Sequence, residues 1–529
     1  MKNQNLLTLV IILSLLILPW QTGVRADAAL QPQPVNGTHQ DIIPNAGSLF
    51  VAVGASGNCT QANPCSLHSA LELASTDDSI YLAEGVYTGS GAAVIMIDKP
   101  ITIFGGWDGA PSGPINRDPV AYPSKLDGEA ERRVVFITGS WSVVLDGLNI
   151  ENGSTTPETA ISWNGAGLYS LNANLILRNT NFHDNVADVF DYDGEDAYAY
   201  GGGAYVNGGT LFVENSSFQG NSTWAKKNSL GGGLAIINTL TAAVVGTTFL
   251  ENDAWNAGGA YFEDTGLALL PFSVHNSTFS GNGWGNAAGQ GWTGYAGAML
   301  IKGGNVNMEG NLFHNNLATG NYGALAFFYS SLSFNRNIVY DNRGAITSAL
   351  FLMQLSSCSL TNNIIANNSA PSVVDETTAL RVVSTSGSLL HNTFASNHGE
   401  FGVLVRDSSN ITMVNNILVD HTVAVTVSFN STVSMEGTLW GSGVWANDTD
   451  WDGEGSIGTG TINLWDDPAF VDPVVGDYHL SSESAAIDAG VNTAVLIDID
   501  GDPRPHGEGY DIGADEFGIT HIYLPLILR

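Results

Sequence analysis

Basic residues are scarce in this chain: 17 Lys and Arg stand against 51 Asp and Glu in 529 residues, a formal net charge of -34. Binding to a phosphate backbone depends on Lys and Arg, so nucleic acid is excluded as a partner. Charged residues of both signs make up only 13% of the chain and apolar ones 44%, which excludes a solvated, disordered polymer. The acidity fits solubility, an extracellular surface or divalent-cation binding. Cysteine is nearly absent, with three in all. Cys59 and Cys65 lie close together and form a small disulfide loop if the compartment is oxidising. Without a nearby His pair they argue against zinc. Cys358 lies in Leu355-Ser-Ser-Cys-Ser-Leu360, which alternates like a strand, and is expected as a small core residue. Long apolar runs are missing beyond the N-terminus. Leu6 to Leu18, with Lys2 ahead and Val24-Arg25-Ala26 behind, reads as a secretory signal and is too short for a good spanning helix. After its removal no transmembrane span is expected, and the expected location is secreted or cell surface.

What is abundant is glycine, 62 in all, and it recurs in a pattern. A small residue is followed, commonly sixteen residues later, by an apolar residue and an Asn: Gly202 by Phe218-x-x-Asn221, for example. The boxes run Phe182-x-x-Asn185, Phe218-x-x-Asn221, Phe249-x-x-Asn252, Phe279-x-x-Asn282, Phe313-x-x-Asn316 and Phe394-x-x-Asn397, with Val339 and Ile365 in the same frame and Leu418 and Leu439 continuing it. The strands between them, such as Leu211-Phe-Val213 and Leu234-Ala-Ile-Ile237, are too short to be stable alone, so each must stack on the next coil. The predicted fold is all-β: a parallel β-helix of about ten regular coils. Each Phe is expected to point inward onto the Phe above, and each Asn to sit in a left-handed turn and bond to its copy in the next coil. The boxes are therefore read as scaffold. Six segments follow: a signal at 1–26, a linker at 27–47 and an N-terminal cap with irregular coils at 48–145. Regular coils at 146–445, a C-terminal capping region at 446–517 and an apolar tail at 518–529 complete the chain.

Gly258-Gly-Ala-Tyr261 followed by Phe279-Ser-Gly-Asn282 resembles the paired repeat of polymorphic outer-membrane proteins, in the pectin-lyase-like right-handed parallel β-helix class. Asn63-Pro-Cys-Ser-Leu67 through Val86-Tyr87 resembles the entry cap of secreted β-helix proteins. Asp467-Pro-Ala-Phe-Val-Asp-Pro473, Ala486-Ile-Asp-Ala-Gly490 and Tyr510-Asp-Ile-Gly-Ala-Asp-Glu516 resemble the C-terminal region of surface proteins classed by their variable anchors. The resemblance implies right-handed coiling, export and, for several relatives, adhesion. Autotransporting relatives end in a membrane barrel, and the residues after Trp445 are too few for one, so self-translocation is not expected.

Variation gathers between each box and the next small residue. Long connections there carry Trp224, Trp255, Trp284 and Trp292, with Tyr192 and Tyr198 in the first. Coils in register would ladder Trp224, Trp255 and Trp284, and aromatics beside carboxylates suit the stacking and hydrogen bonding of sugar rings. The alternative is that these rings pack the loops onto the helix body. Two acidic groups match calcium ligation: Asp191, Asp193 and Asp196 in the first loop, and Asp448, Asp450 and Asp452, the latter with Thr459 where a distal Glu is expected. Asp498-Ile-Asp500-Gly-Asp502 is similar. A solvated turn is the plain alternative for each. Calcium is the one cofactor the sequence suggests. The candidate catalytic cluster is Arg381, His398, Glu400, Arg406 and Asp407, with Asp375 and Glu376 beside it, though it carries no hydrolase or lyase signature. The expected function is an exported β-helix protein that binds a polysaccharide, cell-surface glycan or surface protein through long loops on one face. The competing reading is a polysaccharide-active lyase, hydrolase or epimerase, and the third is a structural surface-layer component. Oligomeric state is left open.

Overall fold

Within every coil the residues alternate between an apolar core and the outside, and the coil is closed by sharp corners instead of hairpins. In a computed structural model of the chain, the described residues are 47–155, 162–189, 198–225, 228–266, 269–283, 294–370, 376–518. They form a right-handed parallel β-helix. One wall has thirteen parallel strands, from Ala93–Ile97 to Thr449–Asp452. Each coil then adds two more strands, for example Thr210–Glu214 and Ser217–Gln219, which build the second and third walls. These two walls run on as one sheet of 27 strands.

The box residues are stacked as the sequence predicts. Phe182, Phe218, Phe249, Phe279 and Phe313 share one register position on the third wall and are fully buried. The first three ring-to-ring steps have centroids 4.7, 4.9 and 4.4 Å apart with planes within 4°. The Asn of each box reaches the next coil. Asn221 Nδ2 donates to Asn252 Oδ1 at 2.9 Å and to the Phe182 carbonyl at 2.9 Å, while its Oδ1 accepts from Asn185 Nδ2 at 2.8 Å. One part of the expectation is corrected. The left-handed residue is the one before the ladder Asn, such as Asp184 (φ 56°) or Asn315 (φ 55°), and this corner swings the Asn amide into the interior. A second ladder was missed. Asn311, Asn337, Asn363 and Asn392 chain through Nδ2–Oδ1 bonds of 2.9, 3.3 and 2.8 Å. Its sequence signal is an Asn, Ser or Thr two residues before the box, as in Asn311-Leu-Phe313 and Ser277-Thr-Phe279.

The small residue opening each coil is fixed by crowding. A Cβ on Gly202 would lie 2.2 Å from the Ser222 carbonyl oxygen, and one on Gly232 would lie 2.3 Å from that of Asp253. At the entry end, the helix Leu67–Leu73 buries Leu67 and Ala70, and Ser66 caps it by accepting the Ser69 N–H. A disulfide joins Cys59 and Cys65. Cys358 is a buried free thiol in the core, and burial pushes its pKa up to about 12.

The region expected to cap the C-terminal end does so only in part. Strands Ser456–Gly458 and Asn463–Leu464 continue the second and third walls. From Phe470 onward the chain folds back along the outside of the third wall. There Ile364, Ala366, Ala395, Ile417 and Val419 pack against Phe470, Tyr478, Leu480, Ala486 and Ile512. The seam is polar as well: Asn415 Nδ2 donates to the Val491 carbonyl at 2.7 Å, and the Ala514 N–H donates to Thr393 Oγ1 at 3.1 Å.

Truncating Phe249 to Ala removes a ring stacked on both sides and is expected to cost about 3–5 kcal/mol. Asn252→Ala leaves partners in two coils unsatisfied and is expected to cost about 1–3 kcal/mol. Urea denaturation followed by circular dichroism reads both, and a loss under 0.5 kcal/mol in either contradicts the stacking account.

Candidate functional site

On the thirteen-stranded wall the alternation sends every second residue outward. In Ala204–Asn207, Ala204 and Val206 join the core while Tyr205 joins a separate outer cluster. Following register, the outward position is Phe136, Tyr169, Tyr205, Ala235, Tyr261, Leu300, Ala326, Phe351 and Arg381 in successive coils. The first three rings stack at 5.2 and 5.3 Å. Arg133 lies over two of them, 5.3 Å from Phe136 and 5.2 Å from Tyr169. Its burial lowers the guanidinium pKa to about 10. Further along, Tyr322 stacks on Phe351 at 4.0 Å and meets Tyr295 at 5.4 Å.

The long connections fold against one edge of this wall. Val186–Val189 pairs with Ser222–Ala225, and Tyr198–Tyr200 pairs with Asn228–Leu230. Tyr200 reaches over the wall, 6.0 Å from Tyr205 and 6.1 Å from Tyr261. Burial, followed by the charge of Glu263, raises its hydroxyl pKa to about 12. Tyr198 is 39% exposed. Trp224 sits opposite Asp188, half-buried, and its indole N–H donates to Ser222 Oγ at 3.1 Å. Trp255 is half-buried beside Ser229, whose Oγ accepts its backbone N–H at 2.8 Å. Trp284, Trp292, Tyr192, Asp191, Asp193 and Asp196 lie outside the described residues.

The structure brings together part of the ionisable cluster on late coils. Arg381 Nη2 and Arg406 Nη1 converge on the same Glu376 carboxylate oxygen. The Glu400 carboxylate accepts the Glu376 N–H at 2.6 Å, and Asp407 pairs with Arg406 at 3.4 Å. Burial lowers the Arg381 pKa, against the raising effect of Glu376. Two cations bound to one carboxylate form a closed charge group. His398 lines a separate cleft near Trp445 and Tyr478.

Asp450 and Asp452 lie in a strand, with Asp448 just before it. Thr449–Asp452 is a strand paired with the last coil. The Asp450 carboxylate is taken by Asn447 Nδ2 at 3.0 Å and Trp465 Nε1 at 2.7 Å. Among the described residues, one group brings three metal-type ligands within 4.8 Å: His479, Asp500 and Asp515. Of these the sequence pointed only to Asp500. His479 and Asp515 are 36 residues apart and meet only when the C-terminal region folds back. The ring is already engaged, with Nδ1 2.6 Å from Asp477 and Nε2 3.1 Å from Asp500. Burial alone would depress the His479 pKa. The bond to Asp500, the charges of Asp515 and Asp500 and the bond to Asp477 outweigh it and raise it to about 9. The group is thus an imidazolium braced by carboxylates. Behind it, Arg504 and Glu516 form a fully buried ion pair at 2.7 Å.

Because the folded pKa of His479 lies above the ordinary value near 6.5, its stabilisation is complete below about pH 6.5 and is lost as pH rises through 9. Burial raises the Asp511 pKa from its ordinary 3.8 to about 7, so its destabilising effect builds up below pH 7 and is already complete where the His479 loss is read. The melting temperature is expected to fall between pH 7 and 9.5, and His479→Gln to flatten that fall. An identical pH profile for wild type and variant contradicts the brace.

A family profile described as right handed beta helix region matches residues 140–293 and 272–439. Among solved structures, the chain is similar to the pectate lyase Pel9A at 16% identity, over 89% of this chain and 96% of that one, with a TM-score of 0.39. It is also similar to the PL6 family alginate lyase AlyGC at 10% identity, over 78% of this chain and 75% of that one, with a TM-score of 0.21. No curated protein matches the chain.

Proposed function

The chain belongs to the right-handed beta helix family, and from that premise we propose that it is an exported, cell-surface or secreted protein that binds glycan without turning it over. The observation that carries this reading is the outer face of the thirteen-stranded wall. Phe136, Tyr169 and Tyr205 occupy its outward position in three successive coils, at about 4.8 Å per step, Tyr261 and Phe351 recur further along, and the longest connections fold along its edge. Half-buried rings at both ends, Phe136 and Tyr169 at one and Tyr295, Tyr322 and Phe328 at the other, offer apolar faces to sugar rings. Glu263, Lys302 and Asn207 stand beside the row as hydrogen-bonding groups.

A polysaccharide-active enzyme is the second reading. It is favoured by one observation: Arg381 continues the aromatic row one coil beyond Phe351. The closed pairing of Arg381 and Arg406 with Glu376 weighs against a free base.

Retention on insoluble plant or microbial polysaccharides separates the readings. Tyr198→Ala combined with Tyr322→Ala is expected to weaken retention at least tenfold with melting unchanged within a few degrees. Unaltered retention removes the wall as the binding face. Release of unsaturated or reducing sugars from a uronate polymer, abolished by Arg381→Ala, establishes the enzymatic reading instead.

A further inference from the structure

The corner residue that precedes each ladder Asn adopts a left-handed backbone and turns its side chain outward. In the late coils the residues at this corner are Asn367, Ser396 and, before the His421 that ends the run, Asp420, with φ of 53°, 51° and 57°. They follow the paired positions Ala366, Ala395 and Val419, so they stand one coil apart, about 4.8 Å per step. Two aromatic residues flank this polar row. Trp445 comes from the turn after the last regular coil, and Tyr478 comes from the hairpin that folds back over the third wall. With His398 beside them they enclose an open cleft of about 430 Å³, a size found for small-ligand sites, which run to about 300–1,000 Å³.

The chemistry of the cleft is specific. Ser396 Oγ donates to Asp420 Oδ2 at 2.7 Å, and Asp420 is half-buried. Asn367 donates to Asp341, so its amide is held in place. His398 is exposed at the rim. Carboxylate, amide, hydroxyl and imidazole groups beside the half-buried Trp445 ring, with Tyr478 buried beneath them, match a pyranose, whose hydroxyls need both donors and acceptors and whose C–H face needs an aromatic surface. The carboxylates of Asp341 and Asp420 disfavour an anionic sugar by like-charge repulsion. Val444 and Val474, 83% and 88% exposed, line the cleft and leave it open to a chain end arriving from solvent.

We infer that this cleft, between the last coils and the folded-back hairpin, is a second saccharide site that takes a single neutral hexose unit, such as the end of a neutral glycan. It goes beyond the binding proposed for the thirteen-stranded wall and is independent of it. It uses a different wall and residues that the C-terminal region assembles.

Ligand-observed NMR and calorimetry on the whole protein test it, with glucose, galactose, mannose, N-acetylglucosamine and galacturonate as separate probes. Saturable binding of at least one neutral sugar is expected, with Kd on the order of 1 mM. Asp420→Asn is expected to weaken it at least tenfold. Val474→Trp, at an exposed position outside the core, is expected to block it without lowering the melting temperature. The Tyr198→Ala and Tyr322→Ala double variant is expected to bind monosaccharide as the parent does. No binding of any neutral sugar overturns the inference, as does binding that survives both cleft substitutions, or galacturonate binding as tightly. Polysaccharide retention that persists when the cleft is blocked leaves the wall proposal standing, so the two fail separately.

Discussion

Every other feature of this protein depends on coils stacking in register at one strand spacing, enforced from inside by amides that satisfy one another. A buried Asn side chain has two donors and an acceptor to place, and in an apolar interior each unmet group is costly. Here the Asn of one coil finds its partners on the coils before and after, from Asn185 through Asn397. The run ends at His421, which accepts or shares a hydrogen with Asn397 at 3.3 Å, and Asn447 receives the His421 N–H at 3.0 Å. Burial holds that imidazole neutral, with its pKa lowered to about 4, so it fits the place of an amide. Each ladder amide is met chiefly from the adjacent coils, so the stability of each coil depends on its neighbours.

This constraint acts on inward positions and leaves outward ones free, and the three walls use that freedom differently. The thirteen-stranded wall carries the aromatic row and receives the long connections. The outer face of the third wall changes character along the helix. Early coils present Asn149, Asn181, Ser217 and Thr248, and later ones present Leu312, Ile338, Ile364 and Ile417, with Thr393 as a polar exception. The apolar half is where the C-terminal region lies, closing a seam that holds His391, Arg504 and the carboxylates around His479. Burial lowers the His391 pKa to about 3, and its ring bonds to Thr493 Oγ1 at 2.7 Å across that seam.

The repeat was legible because its cause is local and recurrent. A Phe at a fixed step from a small residue reports a core position and a crowded corner in every coil. The second ladder was equally written in the sequence, two residues before each box. It is masked in the early coils, where Thr180, Ser216, Thr247 and Ser277 stand in place of Asn. The Glu376 pairing with Arg381 and Arg406 was partly legible, since those residues lie on neighbouring coils. Asp448, Asp450 and Asp452 show the opposite case: alternate carboxylates suit a calcium loop and an exposed strand equally well, and pairing with the last coil is what makes Thr449–Asp452 a strand.

The sequence by itself determined the coil: which residues face inward, where the corners fall and on which side the long connections leave, because period and small-residue spacing are properties of a short stretch. Only the tertiary structure decided what meets across coils and across the fold-back. The outward tyrosines are distant in sequence and become one surface through register. His479, Asp500 and Asp515 become one charge group, and Asp420, Trp445 and Tyr478 one cleft, because the C-terminal region returns along the third wall. That return is driven by burying an apolar strip whose partner lies more than a hundred residues away, as Thr393 and Ala514 do, and no local pattern specifies such a pairing.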